Sequence, residues 1–261
     1  MQFKDGVWDA RVSFDYPLDF SHQWTLWEEG KFGDTRLLYS RSADEKYRDT
    51  LRDLSLDKAD LRGMKILEVG FGDGRLLHSI QADCPTAFGI DLVKPLLSAK
   101  LRQRSVICAS LFNNPFKPMQ FDLVICRGVI HHTGKTRLAF SRVAEQVGKS
   151  GKLYLFVYEK DVSILTLRKI MPFSWILPEG VRLRLSRFIG LIVGFVFALR
   201  RRELNLDGIR KYWGNYSLMA FDLLSARYTS WHSPDEIVSW FKETSFEVER
   251  VGPCVYVGSK C

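Results

Sequence analysis

Residues Lys65 to Leu77 constrain this chain more than any other stretch. An apolar run of strand type (Ile66, Leu67, Val69) ends in three glycines at alternating positions, Gly70, Gly72 and Gly74. A helical pattern begins at Leu76-Leu77. Strand, glycine turn and helix in this order form the phosphate- and nucleotide-binding start of an open α/β sheet. Glycines there reach positive φ and lack the Cβ atoms that would hold a ligand off the backbone. The helix N-terminus just beyond supplies free N–H groups and a positive dipole end.

The spacing selects among nucleotide ligands. A dinucleotide loop reads G-x-G-x-x-G, whereas this one reads G-x-G-x-G. Glu68 sits inside the strand, two residues before Gly70, and Asp73 lies within the loop. Acids there repel a pyrophosphate and suit a ligand carrying an amino group and a sulfonium cation. Ala87-Phe88-Gly89-Ile90-Asp91 reads as a second strand ending in an acid, seventeen residues after Gly74. A carboxylate at that strand tip is placed for the two hydroxyls of a ribose. A further buried strand, Phe121 to Cys126, follows Asn114-Pro115-Phe116, and Gly128-Val129-Ile130-His131-His132-Thr133 comes directly after.

Together these residues resemble class I S-adenosylmethionine-dependent methyltransferases, in particular the broad bacterial group that acts on small molecules, glycans and lipids. The motifs of that group read E-V-G-x-G-x-G, G-x-D, x-P-F…F-D-x-V and G-V-x-H-H. The resemblance covers residues 60–160, with a weaker echo at 228–250. It implies a Rossmann-like α/β fold: a seven-stranded methyltransferase sheet with helices on both faces and S-adenosylmethionine as cofactor. By resemblance, Glu68, Gly70, Phe71, Gly72 and Gly74 surround the methionine part, Asp91 holds the ribose and Leu92 packs on the adenine. Relatives often place an acid opposite the adenine amino group, six positions before the x-P-F phenylalanine. This chain has Ser110 there, so the Ser110 hydroxyl or the Leu111 backbone is expected to take that contact. Cys126, Arg127 and Gly128 are expected to face the sulfonium. His131 and His132 are the candidate general bases of the core motifs, since histidine titrates near neutrality. The pair recurs in relatives with different substrates, which fits a positioning role as well. His232 is a further candidate base, its alternative being to cap the helix that follows. No metal-ligand cluster is visible.

At 261 residues, with 46% hydrophobic and 26% charged residues, the natural count is one catalytic domain with additions. The net charge of +8 points to an anionic partner (nucleic acid, a membrane surface or a phosphorylated substrate) or to simple solubility. Five cysteines, Cys84, Cys108, Cys126, Cys254 and Cys261, form no C-x-x-C pair, so neither a zinc site nor a disulfide framework is indicated. The polar, aromatic first residues carry no secretory pattern. A cytoplasmic protein, peripheral to the membrane at most, is the expectation.

Four segments follow. Residues 1–60 read as an N-terminal helical or lid segment, with Phe20, Trp24 and Trp27 at helical spacing and a charged helix or helix pair from Arg36 to Leu56. Residues 61–160 form the cofactor-binding core: strand 65–69, helix 75–82, strand 86–91, helix 95–103, strand 105–109, strand 121–126, helix 136–147 and strand 152–158, with a turn at 148–151. Residues 161–232 read as a helical cap insertion for the acceptor. It contains a twelve-residue apolar run, Phe188 to Leu199, between Arg182, Arg184, Arg187 and Arg200-Arg201-Arg202. Twelve residues are too few to span a bilayer; a buried helix and an interfacial helix touching membrane through 182–202 are the two readings. Residues 233–261 return to the core. Ser233 is the N-cap and Pro234 the first-turn residue of a helix, and two strands follow at 246–251 and 254–258.

The leading functional reading is methyl transfer to a small-molecule, glycan or lipid-linked acceptor. The alternative is an RNA methyltransferase of the tRNA wobble-uridine kind, which Val129-Ile130-His131-His132, Arg137 and Lys152 to Tyr158 also resemble. A non-catalytic S-adenosylmethionine-binding module is the third reading.

Overall fold

The computed structural model describes residues 2–4, 7–10, 23, 25–27, 29–33, 35, 43–92, 105–160, 171 and 173–261. The helix expected at 95–103, the Phe20 and Trp24 positions and residues 36–42 lie outside them. The chain divides into two compact units: Met1–Leu18, Ala43–Lys160 and Tyr228–Cys261 in one, Asp19–Ser42 and Asp161–Arg227 in the other.

The first unit is built on a nine-stranded sheet. Its strands are β1 (Gln2–Lys4), β2 (Val7–Asp9), β3 (Ile66–Val69), β4 (Ala87–Asp91), β5 (Val106–Cys108), β6 (Phe121–Arg127), β7 (Val147–Phe156), β8 (Phe246–Gly252) and β9 (Val255–Lys260). The order is β1-β2-β5-β4-β3-β6-β7-β9-β8. The seven strands β3 to β9 are the expected methyltransferase sheet, with β9 antiparallel to both β7 and β8 at its closing end. The short β1–β2 hairpin adds to the other edge, β2 running parallel to β5. Helix α1 (Ala43–Asp53) precedes β3, α2 (Arg75–Asp83) follows it, and α3 (Thr136–Ala144) joins β6 to β7.

After the edge hairpin, the chain re-enters the sheet at its centre with β3. β4 and β5 step outward on one side of β3, and β6 and β7 on the other. The strand order therefore reverses at β3, and the loops leaving β3 and β6 part at the carboxyl edge, where open α/β sheets bind ligands. Side-chain alternation sorts the core into two layers. Leu67, Val69, Val124, Cys126, Leu153 and Leu155 pack with Ala139, Phe140 and Val143 of α3 and with Ile237, Trp240 and Phe241. Ile66, Leu123, Ile125 and Tyr154 pack with Tyr47 and Leu51 of α1 and with Leu76, Leu77 and Ile80 of α2.

The turn expected at 148–151 is part of β7. Its pairing with β6 jumps from Phe121↔Val147 to Leu123↔Lys152, and Ser150 takes a φ of 60°. The extra residues form a bulge, so the strand begins at Val147, ahead of the glycines that suggested a turn before it. The last helix, α6 (Pro234–Glu243), has its expected cap, with the Ser233 hydroxyl accepting from the Glu236 N–H at 3.2 Å.

The second unit contains two long helices, α4 (Glu179–Arg200) and α5 (Leu206–Ser225). The apolar run expected as a helix is thus the C-terminal half of α4. Its buried face, however, is made of Arg182, Ser186, Gly190, Gly194 and Ala198, one every fourth residue. A Cβ on Gly190 would lie 2.6 Å from the Ser217 nitrogen, and one on Gly194 would lie 2.8 Å from the Trp213 nitrogen. As one residue number rises the other falls, so α4 and α5 run antiparallel at very close range. Leu26 and Phe32 pack with Leu218 and Phe221 of α5, and the Trp27 indole donates to Thr35 at 2.7 Å. Residues 1–60, expected as one helical segment, are accordingly divided: β1–β2 on the sheet, 19–42 in the helical unit, α1 beside β3.

Because backbone stands opposite Gly190, a Gly190→Val chain has no room to keep the two helices in place. It is expected to lose helical circular dichroism at a lower temperature than the native chain. Ser233→Ala, which removes the α6 cap, is expected to cost about 1 kcal/mol in denaturant unfolding.

Candidate functional site

The loop after β3 is where the sequence pointed. Gly70, Gly72 and Gly74 have φ of 76°, 55° and 82°. The Gly70 N–H donates to the Ile90 carbonyl at 2.7 Å, and the Gly72 N–H donates to Oδ2 of Asp91 at 2.8 Å. Both bonds tie the loop to the end of β4. A Cβ on Gly70 would lie 2.0 Å from Cγ2 of Val129, in the loop after β6. Gly74 is the N-cap of α2, so the first N–H groups of that helix open onto the same loop. Phe71 is buried beside Leu77 and Ile80 and supports the loop from below.

Glu68 lies on the α1 side of β3 and is 3% exposed; its Oε2 meets no hydrogen-bond donor among the described residues. Burial pushes its pKa up to about 8, Asp73 and Asp91 push the same way, and Arg127 and Lys46 oppose them. Asp73 accepts from the Arg75 backbone N–H at 3.0 Å and pairs with the Arg75 guanidinium. Lys46 of α1 has its pKa lowered, by burial first, with Asp73 and Glu68 pulling the other way. Arg127, at the end of β6, donates to Thr50 of α1 at 2.9 Å and to the Tyr154 hydroxyl at 3.1 Å. Tyr154 in turn donates to Asp53 at 3.1 Å. The sequence reading missed Lys46, Thr50 and Tyr154; the spacing of α1 gives no hint that its inner face carries polar groups to the sheet.

The remaining predicted cofactor residues are distributed unevenly. Asp91 ends β4 beside the glycine loop, and Leu92 follows it, half-buried. Ser110 is buried and caps a short 3-10 turn, Leu111–Asn113, accepting from the Phe112 N–H at 3.3 Å. Cys126 points into the α3 layer, where burial raises its thiol pKa to about 12 and keeps it a neutral packing group. Arg127 is engaged with α1, as above.

His131 and His132 lie in a 3-10 turn after β6, and both are buried. The His131 ring stacks on Tyr158 at 3.8 Å and 19°. Its Nδ1 accepts from the Tyr158 N–H at 3.3 Å, which leaves the proton on Nε2. Burial, then the neighbouring His132 and His232, hold its pKa well below the ordinary value. A neutral ring with Nδ1 occupied and Nε2 protonated is a donor, and this favours positioning over proton abstraction for His131. His132 directs Nδ1 at the Tyr228 carbonyl, 3.2 Å away, so its Nε2 is the acceptor nitrogen. Ser233 caps α6, and His232 instead places Nδ1 2.8 Å from a Glu236 oxygen with its ring edge-on to Trp240. The segment from Tyr228 to His232 closes over this group: Ser230 N–H donates to His131 O at 2.9 Å, and His232 N–H donates to Tyr158 O at 3.1 Å. Among the described residues no group of His, Cys, Asp and Glu is arranged to hold a metal.

Residues 67–155 match the family described as "Methyltransferase domain". Over 136 residues the chain is 29% identical to an uncharacterized protein of Methanocaldococcus jannaschii. That match covers 52% of this chain and 59% of the relative, so the chain spans about three-fifths of the relative's length. Among solved structures it is similar to the magnesium protoporphyrin IX methyltransferase of Synechocystis PCC 6803 with bound SAH (TM-score 0.55, 15% identity, 92% of this chain and 95% of that one). It is also similar to a SAM-dependent methyltransferase of Thermotoga maritima described as a possible histamine N-methyltransferase (TM-score 0.50, 12% identity, 93% and 99%). At such identities these two likenesses concern the fold. Residues 67–155 thus match a methyltransferase domain, and the fold is like that of these S-adenosylmethionine-dependent methyltransferases, which points to S-adenosylmethionine as the group to test against the site.

The residues present fit that group. A loop of three left-handed glycines, an acid at the tip of β4 and a buried acid whose Oε2 meets no donor among the described residues suit a ligand with a ribose and two cationic centres.

Two outcomes follow from this geometry. Gly70→Ala forces a side chain into a left-handed backbone, about 1–2 kcal/mol, and against Val129; thermal unfolding is expected to show the loss, and adding Val129→Ala to recover part of it. The second concerns Glu68. Its folded pKa of about 8 lies above the unfolded value, so its contribution is fully present at low pH and is lost as pH rises through about 8. Glu68→Gln is therefore expected to raise Tm relative to the native chain more at pH ~8 than at pH ~4. An equal effect at both would show that the residue does not titrate on folding.

Proposed function

We propose that the protein transfers a methyl group from S-adenosylmethionine to a small-molecule, glycan or lipid-linked acceptor, and that residues 161–227 serve the acceptor. The observation that carries this is the glycine loop pinned by the Asp91 carboxylate beside the buried Glu68. When bound, the cofactor supplies a methyl group already activated on a sulfonium.

The chain's own residues then have to bind, orient and dry the reacting groups. Asp91 keeps acceptor capacity beyond its bond to Gly72, since a carboxylate has about four lone-pair sites, and would take the ribose hydroxyls. Glu68 and Asp73 give the surroundings of the loop the sign that a cation needs. Ser110 and Leu111 would take the adenine contact. The His131 ring, held by Tyr158, offers an N–H donor, whereas His132, with Nδ1 committed to Tyr228, is the better placed of the two to receive a proton from a hydroxyl or amine. The two similar structures are named for a tetrapyrrole and for histamine, so the fold admits unrelated acceptors.

Calorimetry is expected to show micromolar-range binding of S-adenosylmethionine and none of NAD. Asp91→Ala should weaken that binding by roughly 1.5–3 kcal/mol, the range for hydrogen bonds to a charged group. Tight NAD binding in place of S-adenosylmethionine would overturn the reading. Salt-dependent binding of bulk tRNA, with methyl incorporated into it, would move the acceptor class to RNA.

A further inference from the structure

Helix α4 turns its smallest residues inward and its largest outward. Ser186, Gly190, Gly194 and Ala198 face α5. Phe188, Leu191, Ile192, Phe195 and Leu199 are each at least half exposed, Phe188 by 61%. At 3.6 residues per turn these five lie on one stripe, opposite the buried one. Large apolar side chains in a continuous stripe mark a surface that something covers.

The charges around the stripe select what covers it. Arg184 and Arg187 are exposed just before it, and Arg200, Arg201 and Arg202 just after it. The one acid of α4 is Glu179, at its first position. A second copy of the same helix would set arginine against arginine in either direction. A bilayer of anionic lipid offers both required partners at the right depths: hydrocarbon for the stripe and phosphate for its ends. The run from Phe188 to Leu199 is about 18 Å long at 1.5 Å per residue, against about 30 Å for a hydrocarbon core. No described helix is long and apolar enough to cross a membrane.

We infer that α4 lies in the plane of an anionic bilayer surface, with the stripe from Phe188 to Leu199 in the acyl boundary and the flanking arginines on headgroup phosphates. Taken with the methyl-transfer reading, on which this consequence rests, the acceptor is one presented at the membrane, carried on lipid. The small residues of the inner face are what free the large ones for that role. A helix that buried its Phe and Leu residues on its own protein would have the opposite pattern.

The test is sedimentation of the full chain with vesicles of phosphatidylcholine alone and of phosphatidylcholine with phosphatidylglycerol. Binding is expected to the anionic vesicles, to weaken at high salt, and to fall at least about tenfold in the variant Phe188→Ser, Leu191→Ser, Phe195→Ser, Leu199→Ser. The same variant should bind S-adenosylmethionine by calorimetry as the native chain does. That control separates the two proposals, because a failure of cofactor binding in the native chain strikes the methyl-transfer reading alone. Absence of binding to anionic vesicles, or equal binding by native chain and variant, would overturn the membrane proposal. So would a dimer formed without lipid and dissolved by the four serines, which would make the stripe a contact between copies.

Discussion

Two hydrogen bonds hold the centre of this protein in its working form: Gly70 N–H to the Ile90 carbonyl and Gly72 N–H to the Asp91 carboxylate. They couple the end of β3 to the end of β4 and keep the loop between β3 and α2 on a left-handed course that only glycine follows without strain. Much depends on that course. It brings Gly70 against Val129 and so sets the spacing between the loops after β3 and β6. It also opens the N-terminus of α2 toward any ligand on the carboxyl edge. One carboxylate, Asp91, therefore braces the loop from the end of β4.

Beside the loop, the α1 face of the sheet carries a mixed set of charges that burial makes consequential. Glu68 and Lys46 are each shifted toward their neutral forms by desolvation first. Arg127 donates to Thr50 and Tyr154. A cation placed beside Glu68 would favour its charged form. The opposite face of the same strands is plain hydrocarbon: Cys126, one residue from Arg127, has its thiol driven up to about 12 and packs under α3. Alternation along β6 is the reason adjacent residues meet such different surroundings.

The helical unit follows another logic. In α4 the small residues define the interface, because only they let two helix backbones come within contact of each other, and the bulky residues are left outside. Hydrophobicity alone would place Phe188 and Leu199 inward. Close backbone packing reverses that order.

Much of the first unit was legible from the chain. Strand-length apolar runs at 65–69, 86–91 and 121–126, the G-x-G-x-G spacing and the acid at Asp91 are local patterns, and local patterns survive into the fold when both faces of a sheet are buried. Ser233-Pro234 likewise announced α6. What the chain did not disclose depends on partners distant in sequence. The β7 bulge arises from pairing with β6, not from Gly148 or Gly151 themselves. Cys126 and Arg127 were read alike, yet one is a core thiol and the other is bound to α1, because the sheet sends them to opposite faces. His131 carried a base's residue type, and only the Tyr158 N–H on its Nδ1 decided its tautomer. The outward face of α4 was hidden for the same reason: an apolar run states that something must cover it, while the tertiary structure alone decides which side its neighbour takes.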